Sequence, residues 1–171
     1  MLTSAMHLAI RLVLPLLGVI PAFCAEPIEA RFTGGTGRYV VDSGDAGYIT
    51  LGASIRTYIS PRWSVEPGFS ITRGNPYREH SFSCNFIKDA EGWWSGSRVR
   101  PYGLIGLAYT RSGGSNPALG SLHRYPTVGG GIGIRIYLSD RVFVAPQARL
   151  NWAMPAVELT GSIGFVLRKS R

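Results

Sequence analysis

Between residues 28 and 168 the chain runs in stretches that alternate apolar and polar residues with a period of two. This is the pattern of strands that show one face to each of two environments. The first stretch, 28–40, is weak: Ile28, Ala30 and Phe32 alternate before glycines take over. The next, 47–59, is clean. Ile49, Leu51, Ala53, Ile55 and Ile59 share one face; Tyr48, Thr50, Gly52, Ser54, Arg56 and Tyr58 share the other. The pattern continues through 62–73, 79–88, 98–111, 124–138, 141–152 and 157–168, which makes eight predicted strands. Most reach the roughly 9–11 residues that a tilted strand needs to cross a bilayer.

One hairpin is written twice. Ile55 to Pro67 recurs as Ile134 to Pro146, with seven of thirteen positions identical, among them Arg56/Arg135, Tyr58/Tyr137 and Pro67/Pro146. Each copy has an alternating run, a short polar turn at Ser60-Pro61-Arg62 or Ser139-Asp140-Arg141, and a second alternating run.

Alternation alone does not choose between lipid outside and a dry core inside, because a soluble barrel alternates too. The polar face decides. A face turned to water would be rich in Lys, Glu and Asp, whereas this one is Gly, Ser, Thr and Tyr with isolated Arg and Glu, as suits a small enclosed interior. The apolar face carries no charge, and an Arg facing lipid at the midplane would cost about 2–4 kcal/mol. The pattern predicts an all-β fold, an eight-stranded antiparallel up-and-down transmembrane β-barrel, with both termini and the two polar turns on the periplasmic side. Trp63, Trp93 and Trp94 are expected at the inner interface, and Tyr109, Tyr125 and Trp152 at the outer one. Pro67, Pro101 and Pro146 lie inside strands and each lacks a ladder donor, so bulges, or a strand extending past its neighbour, are expected there.

Residues 1–25 read as a signal peptide: Leu8 to Ala25 is apolar apart from Arg11 but is broken by Pro15 and Pro21. Residues 26–171 then form one barrel domain, exported through the periplasm to the outer membrane. Cleavage is placed between Cys24 and Glu26, and either Met1 or Met6 serves as the start. Cys84 is the one cysteine left, too few for a disulfide framework. The formal charge is +8, and of eighteen basic residues only Lys88 and Lys169 are Lys. An Arg-based supply of charge suits fixed pairing with carboxylate or phosphate. The arginines are spread along alternating strands with no binding motif for nucleic acid.

Two groups of residues are candidates for a role. Arg56, Glu66, Arg100, Arg135, Arg149 and Glu158 point to the polar side and are expected to form an ion-pair network filling the lumen, with Arg56 facing Glu66 across the first hairpin and Arg149 diagonal to Glu158. Eight strands leave an interior just wide enough for side chains. Arg38, Arg73, Arg78, Arg111 and Arg124 fall at the outer strand ends, where they could contact lipopolysaccharide phosphate. Glu79-His80-Ser81 with Ser83 and Asn85 invites a hydrolase reading, yet the spacing breaks the His-x-Ser-Asn arrangement of lipid A deacylases. The run Gly129-Gly130-Gly131-Ile132-Gly133 lacks the context of a phosphate loop. No metal cluster, nucleophile–base pair or cofactor motif is found.

The stretch Arg98-Val99-Arg100-Pro101-Tyr102, together with Gly129 to Leu150, resembles the small OmpA/OmpX-like outer-membrane β-barrel proteins of Gram-negative bacteria. The resemblance covers roughly 28–168. It implies an eight-stranded barrel with no enzymatic activity and no defined ligand. Alternation of Val157, Leu159, Ile163 and Phe165 toward the terminus resembles a signal for the barrel-assembly machinery, though the chain runs on through Arg168-Lys169-Ser170-Arg171. The resulting expectation is a non-enzymatic outer-membrane protein, structural, adhesive or protective, in contact with outer-membrane lipid and lipopolysaccharide. A soluble periplasmic lipocalin-like barrel that binds a small apolar ligand is the alternative, and a lipid A-modifying enzyme is a third reading.

Overall fold

The structure, a computed structural model, describes residues 27–39, 46–74, 78–90, 98–113, 124–152 and 156–168. The expected signal peptide, Trp93, Trp94, His123 and the tips of the outer loops lie outside the described residues. Eight strands follow one another: β1 (Ile28–Tyr39), β2 (Ala46–Tyr58), β3 (Trp63–Gly74), β4 (Arg78–Asp89), β5 (Val99–Gly113), β6 (Arg124–Tyr137), β7 (Val142–Asn151) and β8 (Ala156–Arg168). Each pairs antiparallel with its sequence neighbours, and β1 closes on β8, giving an up-and-down barrel. The ends agree with the alternating runs to within two residues. Closure matters because, in hydrocarbon, any free sheet edge would leave backbone groups unsatisfied.

The faces are oriented as alternation predicts. Leu51 is 65% exposed and Ile132 70%, whereas Arg56 and Arg135 are wholly buried. Rows of Ile, Leu, Val and Phe therefore look outward, and the arginines and glycines look into the bore. A water-soluble barrel with these faces would bury its charges and wet its aliphatic rows, so the fold is that of a transmembrane barrel.

The repeated hairpins are structural equivalents. β2–β3 pairs Thr57 with Val65 and Tyr58 with Ser64; β6–β7 pairs Ile136 with Val144 and Tyr137 with Phe143. In both turns the first backbone N–H bonds the first carbonyl of the returning strand, Ile59 to Trp63 and Leu138 to Val142, each at 2.9 Å. Ser60 and Ser139 then accept, through Oγ, the backbone N–H of Trp63 and Val142 at 3.2 Å.

The prolines do not make the expected bulges at Pro67 and Pro146. Pairing lapses beside each, between Ser54↔Gly68 and Thr57↔Val65 and between Gly133↔Gln147 and Ile136↔Val144, and resumes in the same register. A bulge would add a residue and shift the register; here the missing proline donor simply interrupts the ladder. Pro101 fits the other expectation, a strand passing its neighbour. It lies one residue beyond the last β4 partner pair, Asp89↔Tyr102, and its carbonyl takes the N–H of Ala90 at 2.9 Å.

Weak β1 turns out to be a full strand of 12 residues. Its inward positions Gly35 and Gly37 make room, Gly37 for the ring of its cross-strand partner Tyr48. Gly133 and Gly164 do the same for Tyr102 and Phe143, which pair with them directly. Large rings thus lie flat over glycine backbone, which is how a narrow bore holds aromatics. The expected outer girdle needs one correction: Tyr109 and Trp152 are outward and exposed, but Tyr125 is buried at 4% and points into the barrel. It shares its parity with Thr127 and Gly129, and the parity of a strand position sets its face.

Replacing Gly133 by Leu drives a side chain into the Tyr102 ring. Overpacking of this kind costs about 1–3 kcal/mol. Urea unfolding of the barrel in lipid vesicles should show that loss for Gly133→Leu, and little change for Gly103→Ala, whose position is open.

Candidate functional site

The bore is layered. At the end nearest the termini, Arg56 of β2 and Arg135 of β6, the arginines of the two repeated hairpins, converge on one carboxylate. Arg56 Nη2 bonds Asp89 Oδ1 at 2.8 Å, and Arg135 Nη2 bonds Asp89 Oδ2. Arg135 Nη1 also donates to both oxygens of Glu29, at 2.9 and 3.1 Å, and to the Tyr58 hydroxyl. Tyr58 and Tyr137, again repeat equivalents, donate to Glu29 Oε1 at 3.1 and 3.2 Å. Phe143 and Ile87, both fully buried, and Tyr102, at 2% exposure, pack this end closed. The Arg56 guanidinium stands over the rings of Tyr58 and Tyr102, at 4.9 and 5.7 Å from their centroids. A guanidinium can be desolvated here because carboxylates, hydroxyls and π-faces together replace its water.

The middle layer is a strut across the bore. Arg31 of β1 donates to Glu66 of β3 at 2.7 Å and to Ser162 of β8 at 2.9 Å. Tyr102 of β5 donates to Gln147 of β7 at 3.1 Å. Toward the other end lies a polar chamber with about 130 Å3 open to water, lined by Ser, Thr and Asn side chains with Arg149 and Glu158. That volume holds on the order of ten waters. Near its outer end Glu79 of β4 accepts the hydroxyls of Tyr39 on β1, at 3.0 Å, and Tyr125 on β6, at 2.7 Å. A single carboxylate therefore ties β1, β4 and β6 together.

Of the lumen residues named from sequence, Arg56, Glu66 and Arg135 are buried in these layers, with partners that differ from expectation. Glu66 takes Arg31, from the strand beyond β2, and Arg56 takes Asp89. Arg149 and Glu158 are directly opposed across β7–β8, not diagonal, and line the chamber. Arg100 stands apart. It is exposed at the inner rim, 5.2 Å over the ring of Tyr137. Sequence reasoning missed Glu29, Arg31 and Asp89. The first two sit in the strand with the weakest signal, and Asp89 lies one residue past the predicted stretch 79–88, although it keeps the parity of Asn85 and Ile87.

Of the five rim arginines, Arg73, Arg78, Arg111 and Arg124 are exposed on the outward face of four adjacent strands, β3 to β6. Arg73 is paired with Arg78, and Arg111 with Arg124. Arg38 is exposed too, but lies on β1 between Gly47 and Val157, away from the other four. His80 faces outward beside Arg111 and stacks on Phe69 at 6.2 Å. Ser81 and Ser83 point the other way, and Ser81 bonds Thr110 at 2.7 Å inside. Neighbours in sequence, the His and the Ser residues stand on opposite faces of the wall, where they cannot act as base and nucleophile.

No protein-family model matches the chain, and no characterised protein matches it in sequence. Solved structures do match its fold. Neisserial surface protein A (NspA) superposes with a TM-score of 0.70 at 13% identity, covering 82% of this chain and 97% of that one. The N-terminal β-barrel domain of Pseudomonas aeruginosa OprF gives 0.65 at 16% identity, with 82% and 96% covered. Ail, the attachment invasion locus protein of Yersinia pestis, gives 0.53 at 15% identity, with 82% and 97% covered. The chain has the eight-stranded fold of the small outer-membrane barrels.

Truncating Asp89 to Ala takes the shared carboxylate from two buried arginines. Breaking a buried ion pair costs about 3–5 kcal/mol. Glu79→Gln keeps one acceptor for its tyrosines and should lose about 0.5–1.5 kcal/mol, the worth of one hydrogen bond. Urea titration of both variants in vesicles tests this order; equal losses would mean that the Asp89 contacts are not what closes the inner end.

Proposed function

We propose that the protein is a non-enzymatic barrel of the outer membrane of a Gram-negative envelope, with a structural, adhesive or protective role carried by its outer surface. One observation carries this reading: Glu29, Arg31, Arg56, Glu66, Asp89 and Arg135 are enclosed in the bore and paired there, while an apolar belt faces outward on all eight strands. A side chain such as Leu51 or Ile132, more than half exposed, is stabilised on that face only by hydrocarbon.

The packing of the inner end argues against a role in permeation, since Arg56, Arg135, Phe143 and Ile87 fill the bore there and are themselves wholly buried. A lipocalin-like carrier would need an apolar cavity, and the chamber in this bore is lined mainly by polar side chains. A lipid-modifying role would need a nucleophile beside His80 on the outward face, where its strand continues with Phe82. The partners that this surface fits are outer-membrane lipids, and the barrel-assembly machinery during insertion.

Fractionation of expressing cells tests the proposal. The mature protein should appear in the outer membrane, come out only with detergent, and migrate faster on a denaturing gel unheated than boiled. Release by osmotic shock as a soluble species would overturn it.

A further inference from the structure

Around the barrel the outer rim is not uniform. Three transverse rows can be followed across the outward face from β3 toward β6. The lowest is Phe69, Phe82, Tyr109 and Pro126, each the register partner of the next. Phe69 and Phe82 touch, with ring centroids 5.0 Å apart. One step toward the rim come His80, Arg111 and Arg124, again mutual partners, and one step further Arg73 and Arg78. With strands about 4.8 Å apart and successive residues of one face about 7 Å apart along them, the three rows cover roughly 14 Å by 14 Å, and the four arginines roughly 14 Å by 7 Å of that.

The four guanidiniums are exposed, and none has a hydrogen bond or ion pair among the described residues. Glu79, their acidic neighbour in sequence, is turned inward to Tyr39 and Tyr125. The two connections that join these strands at the rim, 75–77 and 114–123, contain no Asp or Glu, whereas the connection from β1 to β2 contains Asp42 and Asp45. Like charges opposed across a strand pair destabilise it. A cluster of four is therefore unfavourable in the isolated protein and needs an external anion. Its place above an aromatic row on a lipid-facing wall sets the kind of anion: one fixed at the boundary between hydrocarbon and headgroups. Guanidinium forks match phosphate oxygens by paired hydrogen bonds.

We infer that the outward face of β3–β6 is a binding site for the phosphate groups of an acylated phosphosaccharide of the lipid A type, its acyl chains lying against Phe69, Phe82 and Tyr109 and its phosphates held by Arg73, Arg78, Arg111 and Arg124. The inference rests on the membrane-barrel reading. It makes the rim one-sided: the bound lipid sits on the β3–β6 side, and Arg38 takes no part.

The test uses the mature full-length protein refolded into phosphatidylcholine vesicles that contain lipid A, monophosphorylated lipid A, or phosphatidylglycerol at equal negative charge, with retention of the added lipid measured after detergent extraction and native mass spectrometry. Lipid A should be retained, its monophosphorylated form about tenfold more weakly, and phosphatidylglycerol no better than phosphatidylcholine. R73E/R111E should lose lipid A retention at least tenfold, and R38E should keep it. Fast gel migration of each unheated sample shows that the barrel has formed; if the double reversal does not fold, R73Q/R111Q is held to the same criterion. Equal retention by wild type and the double variant overturns the site. So does equal retention of lipid A and phosphatidylglycerol, which would reduce the patch to general attraction for anionic lipid. Either result leaves the membrane reading standing, since gel migration and vesicle insertion report on that separately.

Discussion

Eight strands enclose a bore with room for side chains and little else, and a charge that enters it must find a partner there. The barrel meets that constraint with a small set of multivalent groups. Asp89 receives two arginines, Glu29 one arginine and two tyrosines, and Glu79 two tyrosines. All but the Tyr58–Glu29 bond run between strands that are not neighbours in the wall, so they brace the barrel across its bore, where the backbone ladder gives no support. The glycines at 37, 133 and 164 belong to the same solution, since each clears the space that a ring on the adjacent strand occupies.

The outer wall answers to a different solvent. Hydrocarbon asks only that a surface be apolar and uncharged, so the outward residues are simple and repetitive, while the inward ones are individual. This division accounts for what could be read from the sequence. The outward rows gave the strands, their ends and their faces, because a period of two is a local property. The lumen partners were not local. Arg31 meets Glu66 across an intervening strand, and Arg135 meets Glu29 across the closure between the two ends of the chain. Pairing along hairpins could not find either contact.

Other misreadings have equally physical origins. Tyr suits both a membrane interface and a polar bore, and only the parity of Tyr125 with Thr127 and Gly129 separates the two. Asp89 is a poor strand former, so the alternating stretch ends at residue 88 where the strand runs one residue further. Proline signalled trouble in the ladder correctly at Pro67 and Pro146, but composition does not tell whether a strand answers by adding a residue or by forgoing a bond.

The equivalence of the two repeated hairpins has a consequence for how the chain reaches this state. β2–β3 and β6–β7 offer partners nearly the same edges, with the same register and the same gap beside proline. A half-assembled sheet can tell the copies apart inward only at Ser64/Phe143 and Glu66/Ala145. The flanking strands add to that discrimination through Glu29 on β1 and Asp89 on β4, carboxylates that together meet both arginines when the sequence order around the wall is correct. The acids of the inner end thus proofread the circuit: a miswired cylinder would trap guanidinium charge with nothing opposite it.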